Sequence, residues 1–178
     1  MSGKAFTHSD GDASLLEHPR AFDTILYGGL AVGILDGLFA LIFYGLILGI
    51  KPMRIFQPVA SGLIGKTSFE GGVPTLLLGI LLHFVVASCI AAVYYAASLK
   101  FPVLINQAVV CGLIYGMIAY LGMNYVVIPL SAVGPRGFSL PIFLTGIIGH
   151  ALLVGLPIGL LTRWSAKANK RGYVDSAT

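Results

Sequence analysis

Four stretches of this chain, 24–50, 73–98, 103–130 and 142–161, each hold roughly the 20 apolar residues that a helix needs to cross about 30 Å of hydrocarbon. Inside lipid there is no water to satisfy backbone N–H and C=O groups. A single segment can satisfy its own only as a helix, so the fold class is all-α. The expected architecture is a polytopic membrane protein, a four-transmembrane-helix bundle. Composition agrees: 57% of residues are hydrophobic and 10% charged, against about 25% charged in soluble domains. The mean hydropathy is +0.91.

The organisation that follows is a cytoplasmic N-terminal tail (1–23), a membrane domain (24–162) and a basic cytoplasmic C-terminal tail (163–178). The first apolar run, about 27 residues long, exceeds the 7–15 residues of a signal-peptide core. It is therefore expected to be an uncleaved span. Lys and Arg flank the spans and form no basic stripe, so the net charge of +4 reads as a topology signal rather than a nucleic-acid footprint. Lys4, Arg20, Lys100, Arg163, Lys167, Lys170 and Arg171 fall on one side of the membrane. Lys51, Arg54, Lys66 and Arg136 fall on the other. The excess predicts both termini in the cytoplasm.

The loops differ in kind. Residues 98–102, SLKFP, force spans two and three into an antiparallel hairpin. In the first loop, Ile55, Phe56, Val59, Leu63 and Ile64 can share a helical face lying flat at the interface, with Pro58 working against a long regular helix. The third loop, SAVGPRGFSLP, suits an ordinary surface turn or a dip toward the bilayer.

A repeat runs through the spans. GILDG (33–37) matches GLIYG (112–116), and GILLH (79–83) matches GIIGH (146–150), in the same order. A tandem duplication of a helical hairpin follows, with His83 equivalent to His150 and Asp36 equivalent to Tyr115. Gly29, Gly33 and Gly37, Gly112 and Gly116, and Gly155 and Gly159 form small-residue faces that let helices approach closely. They predict a tight bundle, and a homo-oligomer or subunit of a membrane complex formed through the same faces. Cys89 and Cys111 lie inside apolar runs and read as small buried side chains.

Among Asp, Glu, Lys, Arg and His, the spans contain only Asp36, His83 and His150. Asp36 lies about 18–20 Å along its helix, and all three fall near the expected midplane. A charge there costs at least ~2.5 kcal/mol on insertion scales, so such residues face the bundle interior and have partners. Several roles compete. The three, with Tyr115, can relay protons or bind a cation. Two imidazoles and a carboxylate can ligate a metal ion. His83 and His150 can hold haem b between them, as in an electron-transfer membrane subunit. Or all three can only fix helix packing, as in a non-catalytic accessory subunit. Tyr94, Tyr95 and Tyr125 read as interfacial aromatics, and Tyr120 as a second deep tyrosine.

No Walker sequence, G-x-S-x-G or H-E-x-x-H is present, and GLIGKT (62–67) lacks the upstream glycine of a phosphate loop. Neither nucleotide nor nucleic acid is an expected partner, and nothing points to an enzyme. The segments LLHFVVASCIAAVYY, GLIYGMIAYLGMNYVVIPLSAVG and GIIGHALLVG resemble the YagU-like inner-membrane proteins of bacteria, over about residues 75–162. That resemblance implies a small inner-membrane protein with a possible link to acid tolerance, and makes His83 and His150 its shared intramembrane histidines. Asp36 has no counterpart in it.

Overall fold

The computed structural model describes residues 18–134 and 137–177. The expected N-terminal tail lies almost wholly outside the described residues, and so do Pro135 and Arg136 of the third loop. Among the described residues the chain is helical with no strand. Four helices are long and apolar enough to cross a membrane: α1 (Asp23–Ile47), α3 (Gly72–Lys100), α4 (Ala108–Leu130) and α5, which starts at Leu140 and runs on to Ala177. A shorter helix, α2 (Met53–Ile64), fills the first loop.

Local chemistry sets several of these boundaries. Gly65 closes α2 with φ +67°, a left-handed conformation that costs glycine nothing. The third span begins later than the apolar run does. Val103–Asn106 forms a single turn after Pro102, and Gln107 (φ −104°, ψ +42°) interrupts it before α4 starts at Ala108. The fourth helix does not stop where hydrophobicity does at residue 161, and the basic segment that follows continues it. Two i→i+5 turns, Met123–Val127 in α4 and Ala151–Gly155 in α5, end two residues before Pro129 and Pro157. A proline in a helix lacks its N–H and crowds the carbonyl four residues back, and widened turns accommodate both.

The glycine faces do their work inside the chain. A Cβ at Gly29 would strike Ser88, and one at Gly33 would strike the Phe84 ring, so α1 lies directly on α3. Gly112 and Gly116 meet Gly155 and the His150–Ala151 backbone, and Gly159 meets Ala108, so α4 lies equally close on α5. Backbones this near gain dispersion contact, which replaces the hydrophobic drive that lipid cannot supply. The faces expected to join copies of the protein are therefore occupied within one chain. The core is small: Val32, Ala87, Ala91, Tyr94, Val154 and Ile158, with Ile90, Leu104 and Tyr115 against it. Large apolar side chains such as Leu46, Leu77, Val93 and Leu121 point outward, where a bilayer would be their solvent.

α2 departs from the expected interfacial helix. It buries Phe56, Gln57, Ala60 and Ser61 against α3, while Leu63 is exposed. Gly79 lets the α2 backbone touch α3 at Phe56. Gln57 is fully buried, and its side-chain amide donates to the Thr75 hydroxyl (3.1 Å).

Candidate functional site

α1 presents two adjacent faces to two partners. Gly29, Gly33 and Gly37 face α3, whereas Gly28 approaches Ile158, and Gly149 approaches the Phe39 ring, both on α5. Those two contacts run antiparallel, so the register between them puts Asp36 level with residues 150–152 of α5. Asp36 is half-buried on this second face, one turn beyond Val32. Among the described residues it makes no hydrogen bond and no ion pair.

His83 projects from α3 onto the other face of α1. Its Nε2–H donates to the Gly33 carbonyl (3.0 Å), and a Cβ on Gly37 would sit 3.5 Å from the same nitrogen. The Phe56 and Phe84 rings meet the imidazole edge-on at 5.7 and 5.8 Å. This is an interhelical bond in a tight aromatic cage, the packing role that an intramembrane histidine can play.

His150 behaves differently. Its Nδ1–H donates to the Gly146 carbonyl one turn back in its own helix (3.0 Å), and the Tyr120 ring packs on it at 5.1 Å. With Nδ1 as donor, Nε2 is the basic nitrogen of the neutral ring. The two histidines therefore share a repeat position but not a role. Each ring is engaged by a different neighbour: His83 by α1 and Phe56, His150 by Tyr120 of α4.

The three-ligand metal set expected from the sequence is not assembled. Among the described residues no three His, Cys, Asp or Glu side chains come together as a metal-ligand group, so Asp36, His83 and His150 do not form one. The two imidazoles are held by different helices: His83 Nε2–H donates to the Gly33 carbonyl of α1, and His150 Nδ1–H to the Gly146 carbonyl of α5. Proximity in depth does not bring ligands together when the side chains leave their helices in different directions.

Tyr115 also sits apart from Asp36. Its hydroxyl donates to the Ile90 carbonyl (2.6 Å), and its ring meets Tyr94 at 5.0 Å. Ile90 adjoins Ala91, which touches Gly28, two turns or about 12 Å along α1 from Asp36. Tyr94, expected at the interface, is fully buried and donates to the Leu104 carbonyl (2.9 Å).

The aromatic that does join this layer is Tyr120. The sequence carries a signal for it: Ala108, Gly112, Gly116 and Tyr120 recur every four residues, and all four are buried. No protein-family model matches the chain, and neither a curated protein nor a solved structure matches it.

Proposed function

We propose that this integral membrane protein handles protons or small cations, with Asp36 as the working group and His150 Nε2 as its counterpart on the facing helix. The observation that carries this reading is the unpartnered, half-buried carboxyl in the middle of α1. An intramembrane carboxylate without a partner costs at least ~2.5 kcal/mol. Binding a proton or a cation cancels that cost, and releasing it restores the cost. A group poised in this way is suited to picking up and giving up a cation. His150 lies level with it and has a basic ring nitrogen to offer. His83, tied to Gly33, holds α1 against α3 and keeps Asp36 turned toward α5. Residence in a bacterial inner membrane, with cytoplasmic termini, belongs to the same reading, as does the YagU-like resemblance.

The test is proton and cation flux in liposomes holding the purified chain, with Asp36→Asn as the variant. Asn keeps the size and the hydrogen-bonding capacity but cannot exchange a charge. Loss of flux with unchanged helical circular dichroism and detergent elution is the expected result. Flux equal to the parent's would end the proposal.

A further inference from the structure

Both described ends of the chain lie at one end of the bundle. The Arg20 backbone N–H donates to Ser165 Oγ (2.8 Å), Ser165 Oγ donates to Asp23 (3.1 Å), and the Asn169 amide donates to the His18 carbonyl (3.2 Å). These bonds pin the segment entering α1 along the polar extension of α5. Beside them opens a cavity of about 460 Å³ between that extension, the last turn of α3 and the link into α4. Its volume falls within the range of small-ligand pockets, about 300–1,000 Å³.

Among the described residues the charged side chains of the lining are all basic. Arg163, Lys167 and Lys170 stand at i, i+4 and i+7 on one face of α5, and no carboxylate lines the cavity among the described residues. His18 adds a ring nitrogen, Nδ1, that is buried and has no hydrogen-bond partner among the described residues. A buried polar atom left unpaired is costly, and a ligand acceptor would satisfy it once the ring carries the proton there. Opposite the charges, Pro102 and Ile105 supply an apolar wall. The position matters as much as the charge. The apolar run of α5 ends at residue 161 and the cavity begins two residues later, the level at which headgroups would meet the end of a span.

We propose that this cavity binds the phosphate of an anionic phospholipid headgroup, with Arg163 and Lys167 carrying the charge recognition and His18 closing over it. Basic pockets between membrane helices recognise such headgroups by paired charge and hydrogen bonding. The apolar wall takes the glycerol end, which a free phosphate ion would leave uncovered. This inference does not depend on Asp36.

The experiment uses the full chain in a nonionic detergent, titrated with short-chain phosphatidylglycerol. Fluorescence of Trp164, the one tryptophan and next to Arg163, is read together with the thermal unfolding midpoint. A saturable response to phosphatidylglycerol, absent with short-chain phosphatidylcholine, is expected. Arg163→Gln and Lys167→Gln should each weaken it about fivefold, and Lys66→Gln, at the other end of the bundle, should leave it unchanged. Should either cavity variant fail to fold, Asn106→Asp, which places a negative charge at the exposed rim, is expected to weaken binding in the same way. An equal response to phosphatidylcholine, or unchanged binding in the cavity variants, overturns the proposal. Inorganic phosphate reproducing the effect at the lipid's midpoint concentration overturns the lipid as its source.

Discussion

At the scale of single residues, this protein is governed by which side chains are missing. A Cβ on Gly116 would run into the His150 carbonyl and lie 2.7 Å from the Ala151 Cα, both parts of a helix backbone that cannot swing away. Gly122, on the same helix, has nothing within 4 Å of its Cβ position. Gly116→Ala should therefore cost about 1–3 kcal/mol through overpacking, read as a lower unfolding midpoint in detergent. Gly122→Ala should hold or raise the midpoint, since alanine favours a helix by up to about 1 kcal/mol over glycine. Equal losses at both sites would show that the close approach of α4 and α5 is not what stabilises the bundle. As letters in a sequence the two glycines look alike. What separates them is a neighbouring helix, and the signal that was available is the four-residue stripe. Ala108, Gly112, Gly116 and Tyr120 on α4, and Thr75, Gly79, Ala87, Ala91, Tyr94 and Ser98 on α3, mark the buried sides. His83 falls on the second stripe and Asp36 on the run Gly28, Val32, Asp36. Their inward placement was thus legible, but not which helix each would face.

At the scale of elements, α2 carries the clearest departure from its apolar pattern. Its buried face mixes Phe56 and Ala60 with Gln57 and Ser61, because the helix docks on α3. On a helix lying at the interface the polar side would face water, but against another helix it can be buried if it is hydrogen-bonded. Thr75 supplies that bond, and its own hydroxyl donates to the Gly72 carbonyl (3.0 Å). Thr75→Val removes the acceptor and leaves the buried Gln57 amide only a long contact to the Gly72 carbonyl (3.4 Å). A loss of about 1–3 kcal/mol is expected, concentrated at the α2 dock. Amide hydrogen exchange over 53–64 should speed up while exchange in the middle of α4 stays slow. Uniform acceleration across the bundle would instead mean that α2 and the spans unfold as one unit. The same scale accounts for the fourth helix. Hydropathy ends a span where lipid ends, but helical hydrogen bonding continues as long as the residues tolerate it. The segment after residue 161 contains no proline and has Arg20 and His18 bound along it.

At the scale of the whole molecule, four crossing helices put the loop holding Lys66 and the extension holding Lys167 at opposite ends. In a background with Cys89 and Cys111 replaced by Ala, Lys167→Cys should react with a membrane-impermeant maleimide only after the cytoplasm is opened. Lys66→Cys should react in intact cells whose outer barrier has been made permeable. The reverse pattern would invert the charge-based orientation. Sequence alone determined that this chain is all-α and membrane-spanning, because a backbone in hydrocarbon has so few ways to satisfy its hydrogen bonds. It also determined that Asp36, His83 and His150 are the Asp, Glu, Lys, Arg or His residues placed near mid-span. Only the tertiary structure decided that the three do not come together as one metal-ligand group. Depth is set by counting residues along each helix, whereas meeting in space depends on the rotation and register of helices against one another. Those are fixed by glycine contacts between distant parts of the chain, Gly33 on Phe84 and Gly112 on Gly155, which no local pattern of hydrophobicity encodes.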